Sequence, residues 1–215
     1  MQTLDFPDEA TVLDHGFRFR PIWWTSRVPI GWGDFLTQLP ASERGYHHIT
    51  RADLLAAPEI GLPQALLAGY VWGTGSSAFL VGRRARTFRD NDTARIDESL
   101  RLAKDSLQRG ETIDAYQAVM RGYPGNLKHL GPSFYTKFLY AADSVNGAPG
   151  RALILDQFVA VALNKIDGWD IGRTGPWSAQ TYERWIDHAN RIAAANNVRA
   201  DAVEMAYFEY GKKAA

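Results

Sequence analysis

Residues 130–164 read LGPSFYTKFLYAADSVNGAPGRALILDQFVAVALN, and the interpretation of this chain starts from them. After a Gly131-Pro132 turn, Lys137 is the only cation in the apolar segment 134–142. Burial in such a segment disfavours the ammonium form, and this favours a usable amine nucleophile. Lysines on apolar helices often extend their amines to the surface instead. The position of Lys137 therefore indicates either a reactive amine or an ordinary surface lysine.

A single aspartate, Asp156, separates two apolar runs in the same stretch, residues 152–155 and 157–163. Its position predicts the N-cap of the following helix, where the helix dipole favours a negative charge. Such a carboxylate stays ionised, but aspartate is also an ordinary way to begin a helix. The order of the parts is more informative: a short helix at 126–129, a turn, a lysine-bearing helix, a loop, and then a helix that begins at an aspartate.

This order and spacing resemble the helix-hairpin-helix superfamily of base-excision DNA glycosylases, in particular its 8-oxoguanine glycosylase branch. The resemblance is specific over residues 130–164 and more diffuse over 60–90 and 178–212. It implies that Lys137 and Asp156 are the catalytic pair, and that residues 126–164 contain the hairpin. The family's Gly-x-Gly pattern is replaced here by Ser133 and Tyr135.

The fold that the resemblance implies is an all-α, helix-hairpin-helix DNA glycosylase-like fold, with two helical lobes around a cleft. Helical periodicity along most of the chain also predicts an all-α protein. We expect residues 1–215 to form a single helical domain. Prolines and an alternating pattern in residues 1–30 predict an irregular N-terminal segment with at most a short strand pair.

Several residues are candidates for contacts with DNA. Backbone N–H groups at the start of the lysine helix would bind phosphate, and basic side chains cluster nearby. The candidates are Gly131, Ser133, Phe134, Arg83, Arg84 and Lys128. Arg83 and Arg84 belong to a run with Arg86 and Arg89, for which a solvated helix face is an equal alternative.

The last predicted helix, residues 202–212, adds a weaker resemblance to the same branch. There a polar residue and, one turn later, a phenylalanine contact the flipped base, and Glu204 and Phe208 have that spacing. The resemblance implies that they line the base pocket, with Glu204 in place of the family's glutamine. The alternative is a core Phe208 and a surface Glu204, because such pairs occur on every amphipathic helix.

Composition limits the classes of site and partner. The chain has no cysteine, which excludes disulfides, zinc–thiolate sites and cysteine-ligated iron–sulfur clusters. Its five histidines show no metal-ligand spacing, so we expect no metal and no cofactor. The net charge is zero, which still permits a local basic face. No apolar run could span a bilayer and no signal peptide is evident, so we expect a cytoplasmic protein that binds no membrane and is a monomer.

The resemblance implies a base-excision-repair DNA glycosylase that acts on double-stranded DNA containing a damaged base. The resemblance implies an oxidised purine, most often 8-oxoguanine, and an abasic-site lyase step through a Schiff base on the lysine. A base must leave the duplex stack before its glycosidic bond can be attacked. Two alternatives stay open: a non-catalytic helical DNA-binding or partner-binding module that retains the hairpin, and a glycosylase for another lesion.

Overall fold

The computed structural model describes residues 4–215, and over these residues the chain is all-α apart from one two-stranded sheet. The N-terminal elements are α1 (Glu9–Asp14), β1 (Gly16–Phe19), α2 (Pro21–Thr25), β2 (His47–Thr50), α3 (Arg51–Ala56) and α4 (Leu62–Thr74). β1 and β2 are antiparallel, with Phe17 opposite Ile49. Within residues 4–215, no helix is both long and apolar enough to cross a membrane.

The prediction of an irregular segment at 1–30 is wrong at α1 and α2, which are helical; residues 1–3 lie outside the described part. Asp8 begins α1 because its carboxylate accepts a hydrogen bond from Thr11 N at 2.8 Å. Pro21 begins α2, where its missing N–H costs little. The strand β1 pairs with residues 47–50, so its partner lies outside the segment in which a strand pair was expected.

The rest of the chain forms eight helices: α5 (Ala78–Arg84), α6 (Arg86–Arg89), α7 (Thr93–Gln108), α8 (Thr112–Ala118), α9 (Pro132–Ala142), α10 (Gln157–Ile166), α11 (Ala179–Asn196) and α12 (Ala200–Ala214). Short 3-10 turns occur at 34–37, 43–45 and 57–59. Ser178 caps α11 through Thr181 N. α12 begins at Ala200, before the predicted start at 202, and the Asp201 carboxylate accepts a hydrogen bond from Tyr140 at 2.8 Å.

The short helix expected before the hairpin, at 126–129, is absent, and residues 119–131 form turns and irregular chain. Asn91 explains this locally. Its side chain accepts from Lys128 N and donates to Lys128 O, both at 3.0 Å. These bonds take the backbone groups that a helix would use. His129 also has a positive φ of 66°. Within residues 126–164, helix therefore begins only at Pro132.

Two close helix contacts position the functional part of the molecule. α4 packs along α9, and α12 packs along α10. At Gly211, on α12, a Cβ atom would collide with the backbone oxygen of Phe158, so the two backbones approach closely only because position 211 lacks a side chain. The core between these pairs includes Leu66, Phe138 and Val203, all fully buried.

Candidate active site

A cavity of about 260 Å³ opens where the C-terminal end of α4 meets the first turns of α9 and α10 and the last turns of α12. Its wall is largely aromatic and contains Phe17, Trp72, Phe134, Phe158 and Phe208. Its polar residues are Thr74, Arg84, Ser133, Lys137, Asp156, Gln157 and Lys212. We call this cavity the aromatic pocket. A larger depression of about 700 Å³ on α11 is lined only by exposed side chains of one helix face.

Lys137 and Asp156 meet at the wall of the aromatic pocket. Lys137 Nζ donates a hydrogen bond to Asp156 Oδ2 at 3.1 Å and another to the Ser133 carbonyl oxygen at 3.1 Å. The two side chains are only 4% and 9% exposed. The ammonium also lies 5.7 Å from the centre of the Trp72 ring, within the range of a cation–π contact. The predicted pair is thus adjacent and buried.

The two oxygens of Asp156 have different partners. Oδ1 accepts from Phe158 N at 2.9 Å and Val159 N at 3.2 Å, which makes Asp156 the N-cap of α10. Oδ2 faces Lys137. The carboxylate is therefore fixed by the helix end through one oxygen, while the other stays directed at the amine. Such fixed orientation is what an electrostatic role at a reacting atom requires.

Thr136 and Leu155, which immediately precede the two site residues, are hydrogen-bonded to each other. Leu155 N donates to Thr136 Oγ1 at 3.2 Å, and the hydroxyl lies 3.1 Å from Leu155 O and 2.9 Å from Pro132 O. Because Thr136 is fully buried, these bonds are shielded from water. They join the start of α10 to α9 one residue away from Lys137 and Asp156.

The loop between α9 and α10 is closed at its base by Asp143. Its Oδ2 accepts from Ala152 N at 2.7 Å. Burial raises the pKa of Asp143 above its usual value, while the hydrogen bonds from Ala152 and Arg151 oppose this. The two ends of the loop are therefore held together. The buried segment 152–155 then leads into α10.

The model of the family described as "Putative 8-oxoguanine DNA glycosylase OGG-like protein" matches residues 10–208. The chain belongs to this OGG-like family. No curated protein and no solved structure matches the chain. The match to the OGG-like family runs from α1 to Phe208, so it includes Lys137, Asp156 and all of the aromatic pocket wall except Lys212.

The two predicted base-pocket residues of this OGG-like chain lie in different environments. Phe208 lines the aromatic pocket and is 7% exposed. Its ring packs against Phe158 with a centroid distance of 5.4 Å. Glu204 is not part of the pocket wall; it is fully buried and paired with Arg51. The i, i+4 spacing on α12 thus gives one pocket residue and one residue behind the wall.

The predicted DNA contacts of the OGG-like chain gather around a second cavity of about 400 Å³. We call it the basic cavity; its lining includes Arg83, Arg84, Arg86, His129, Gly131 and Ser133. Arg84, Ser133 and Phe134 form a wall shared with the aromatic pocket. Lys128 is exposed and outside both cavities. Arg89 is also outside them and pairs with Asp90 at 3.1 Å.

Arg84 is held in the shared wall by two contacts. Its Nη1 donates to the Gly73 carbonyl oxygen at 3.0 Å, and its guanidinium lies 4.8 Å from the centre of the Phe134 ring. Burial lowers the pKa of Arg84 from its usual value. Arg84 is therefore fixed in place within the shared wall, whereas Arg83 and Arg86 are exposed at the rim.

Several pocket residues of the OGG-like chain were not predicted from sequence, among them Phe17, Trp72 and Lys212. Phe17 reaches the pocket because β1 passes beside the end of α4. The centre of its ring lies 5.4 Å from that of the Trp72 ring. Lys212 lies one turn beyond Phe208, and its Nζ is 5.7 Å from the centre of that ring. The same i, i+4 spacing that selected Glu204 and Phe208, extended by one turn, would have identified Lys212.

Proposed function

We propose that this protein removes an oxidised purine, 8-oxoguanine, from double-stranded DNA and cleaves the resulting abasic site through a Schiff base on Lys137. Lys137 Nζ lies 3.1 Å from Asp156 Oδ2 in a largely aromatic pocket, and this contact carries the proposal. A buried amine beside a fixed carboxylate is the arrangement that nucleophilic attack at a sugar carbon needs. Membership of the OGG-like family supports the glycosylase class.

The shapes of the two cavities support binding of an extruded nucleotide. A flipped base would enter the aromatic pocket and contact Phe208, since bases stack on aromatic rings. The phosphate beside that nucleotide would lie in the basic cavity, across the wall formed by Ser133 and Phe134. There Arg83 and Arg86 supply positive charge, and the first turn of α9 supplies the backbone N–H of Ser133.

The chemistry assigns different steps to the two residues. Lys137, after its ammonium loses a proton, attacks C1′ of the damaged nucleotide; the C1′–N9 bond breaks and the base leaves with the electron pair, to be protonated. Asp156 stabilises positive charge that develops on the sugar. The sugar ring then opens at C1′–O4′, O4′ takes a proton, and a Schiff base forms. Loss of a C2′ proton expels the 3′ phosphate and cuts the strand.

Borohydride trapping tests this function directly, because it reduces a Schiff base to a stable covalent complex. Duplexes with one 8-oxoguanine or one abasic site should be trapped by the parent protein. Lys137→Gln should still bind but trap nothing. Because the chain has no cysteine, Lys137→Cys can be alkylated at this single thiol with 2-bromoethylamine, which restores an amine of similar reach and should restore trapping.

Two outcomes would sink the proposal. A Lys137→Gln protein that still traps DNA places the nucleophile elsewhere. A parent protein that is inactive on every lesion and abasic duplex tested favours the non-catalytic DNA-binding module. Trapping on the abasic duplex with cleavage of another damaged base, but not of 8-oxoguanine, would keep the lyase chemistry and change the substrate.

A further inference from the structure

Two glycines on α4, Gly69 and Gly73, face the side chain of Lys137. A Cβ atom at Gly73 would lie 2.9 Å from Lys137 Cε and 3.0 Å from Cδ. A Cβ atom at Gly69 would lie 3.3 Å from Lys137 Cβ. The four-carbon stem of the lysine therefore runs along the surface of α4 in space that any side chain at position 73 would occupy.

We propose that Gly73 is a positioning residue for the amine of Lys137. The lysine stem has several rotatable bonds, and its amine is directed at Asp156 only while the stem lies in the groove beside Gly73. The inference rests on the proposed role of Lys137 as the nucleophile. It assigns to Gly73 the task of fixing where that nucleophile stands.

The surroundings of Gly73 determine which group would move if a methyl were added. The methyl would also meet Phe134, whose Cε1 lies 3.1 Å from the position of the added atom. The Phe134 ring is stacked on Tyr70 at a centroid distance of 4.2 Å and covered by Arg84 on α5. Arg84 also holds the carbonyl oxygen of Gly73. The Phe134 ring and the Gly73 backbone are thus constrained. An added methyl group would therefore displace the side chain of Lys137.

Three glycine-to-alanine variants test the proposal in a graded series. Gly73→Ala fills the space now taken by Lys137 Cδ and Cε, whereas Gly69→Ala contacts Lys137 at its Cβ. Gly82→Ala, on α5, meets no atom within 4 Å. All three positions are helical, and alanine is the better helix former, so none should unfold the protein. DNA affinity, melting temperature and the rate of borohydride trapping on an abasic duplex are measured for each.

We expect trapping by Gly73→Ala to slow on the order of tenfold or more, because small misplacements of reacting groups reduce rates steeply. The dissociation constant for DNA should stay at the parent value. Gly69→Ala should slow less, and Gly82→Ala should match the parent. Parent-like trapping by Gly73→Ala would overturn the proposal, and so would a loss that is matched by weaker DNA binding.

A DNA-free measurement separates this inference from the proposed function. The Lys137 Cε resonance, assigned with the Lys137→Gln variant in lysine-labelled protein, should shift in Gly73→Ala and stay in place in Gly82→Ala. If the parent traps no abasic DNA, the proposed function fails, while a shifted resonance still supports the groove. An unshifted resonance rejects the groove whatever the enzyme does.

Discussion

Arg51 Nη1 donates a hydrogen bond to Glu204 Oε2, although 153 positions separate the two residues in sequence and neither side chain is exposed. Burial alone would lower the pKa of Arg51, but the Glu204 carboxylate and Tyr140 hold it above its usual value. The guanidinium lies 5.2 Å from the centre of the Trp72 ring. The ion pair therefore supports the aromatic pocket from behind, and Glu204 faces Arg51 and not the pocket.

Glu204→Gln should destabilise the fold, because it leaves a buried arginine without its counter-charge. The expected loss is on the order of 3–5 kcal/mol in the free energy of unfolding, measured by denaturant titration. Glu209→Gln, on the same helix but 35% exposed at the side chain, is the matched control and should change little. If Glu204→Gln has the stability of the parent but loses cleavage of a damaged base selectively, Glu204 would be a base-pocket residue after all.

The Lys137–Asp156 pair should show strong coupling in stability. Asp156→Asn leaves the buried ammonium with one protein acceptor, the Ser133 carbonyl oxygen. Lys137→Gln leaves Asp156 with two backbone donors, so it should cost less. Adding Lys137→Gln to Asp156→Asn should recover stability, by about 1 kcal/mol or more, since the double variant buries no charge. Additive losses in a thermal denaturation series would contradict this electrostatic account.

Phe208→Leu should weaken cleavage of a damaged base more than cleavage of a preformed abasic site. Stacking on a base is worth roughly 1–3 kcal/mol, and an abasic site offers no base to stack. Leucine keeps most of the buried volume, which limits the loss of packing. Phe88→Leu is the control, since Phe88 is 3% exposed and lies outside the aromatic pocket. Equal losses on both substrates would make Phe208 a core residue only.

Arg83→Gln should reduce the salt dependence of DNA binding. Each phosphate contact by a basic side chain contributes about one unit to the slope of log affinity against log salt. Arg109 is exposed, pairs with Glu111 at 2.8 Å and lies away from the basic cavity, so Arg109→Gln should leave the slope unchanged. The same slope in Arg83→Gln and parent would make the arginine run a solvated face.

Acid should destabilise the protein through His15. Burial, followed by Arg51, Lys212 and Lys137, lowers the pKa of His15 from 6.5 to about 4. Glu209, whose Oε1 lies 3.9 Å from His15 Nε2, does not reverse this shift. The unfolded state then binds more protons between these values, so stability is full above pH 6.5 and falls towards pH 4, by on the order of 2–3 kcal/mol.

His15→Gln removes this group while keeping a polar side chain. Its melting temperature should therefore fall less than that of the parent between pH 7 and pH 4, whatever its absolute value at pH 7. Parallel pH profiles for the two proteins would show that His15 does not contribute.

The sequence could predict those parts of the site that depend on local pattern. Asp156 stands between two apolar runs, and this alone predicts the helix cap that the structure contains. Thr50 and Asp53 likewise predict a capping box that is present. The all-α class follows from periodicity over many helices and is confirmed.

The parts that could not be predicted depend on contacts between distant segments. The spacing of Glu204 and Phe208 predicts one face of a helix, but not whether that face meets a cavity or an arginine from α3. The helix expected at 126–129 is lost to the side chain of Asn91, which lies far back in the sequence. The sequence periodicity of a segment does not indicate which distant residue its side chains or backbone will contact.

The hydrogen bonds between Thr136 and Leu155 fix the distance between the Lys137 amine and the Asp156 carboxylate, because they join the neighbouring residues directly. This distance therefore does not depend on the loop that connects α9 to α10. The intervening loop is closed separately at Asp143 and Ala152. Its tip, Asn146–Gly147, has positive φ at both residues, as is usual in tight turns. The length of this loop is therefore free to vary at its tip, as in other exposed loop tips that accept insertions, while the Lys137 amine and the Asp156 carboxylate keep their separation.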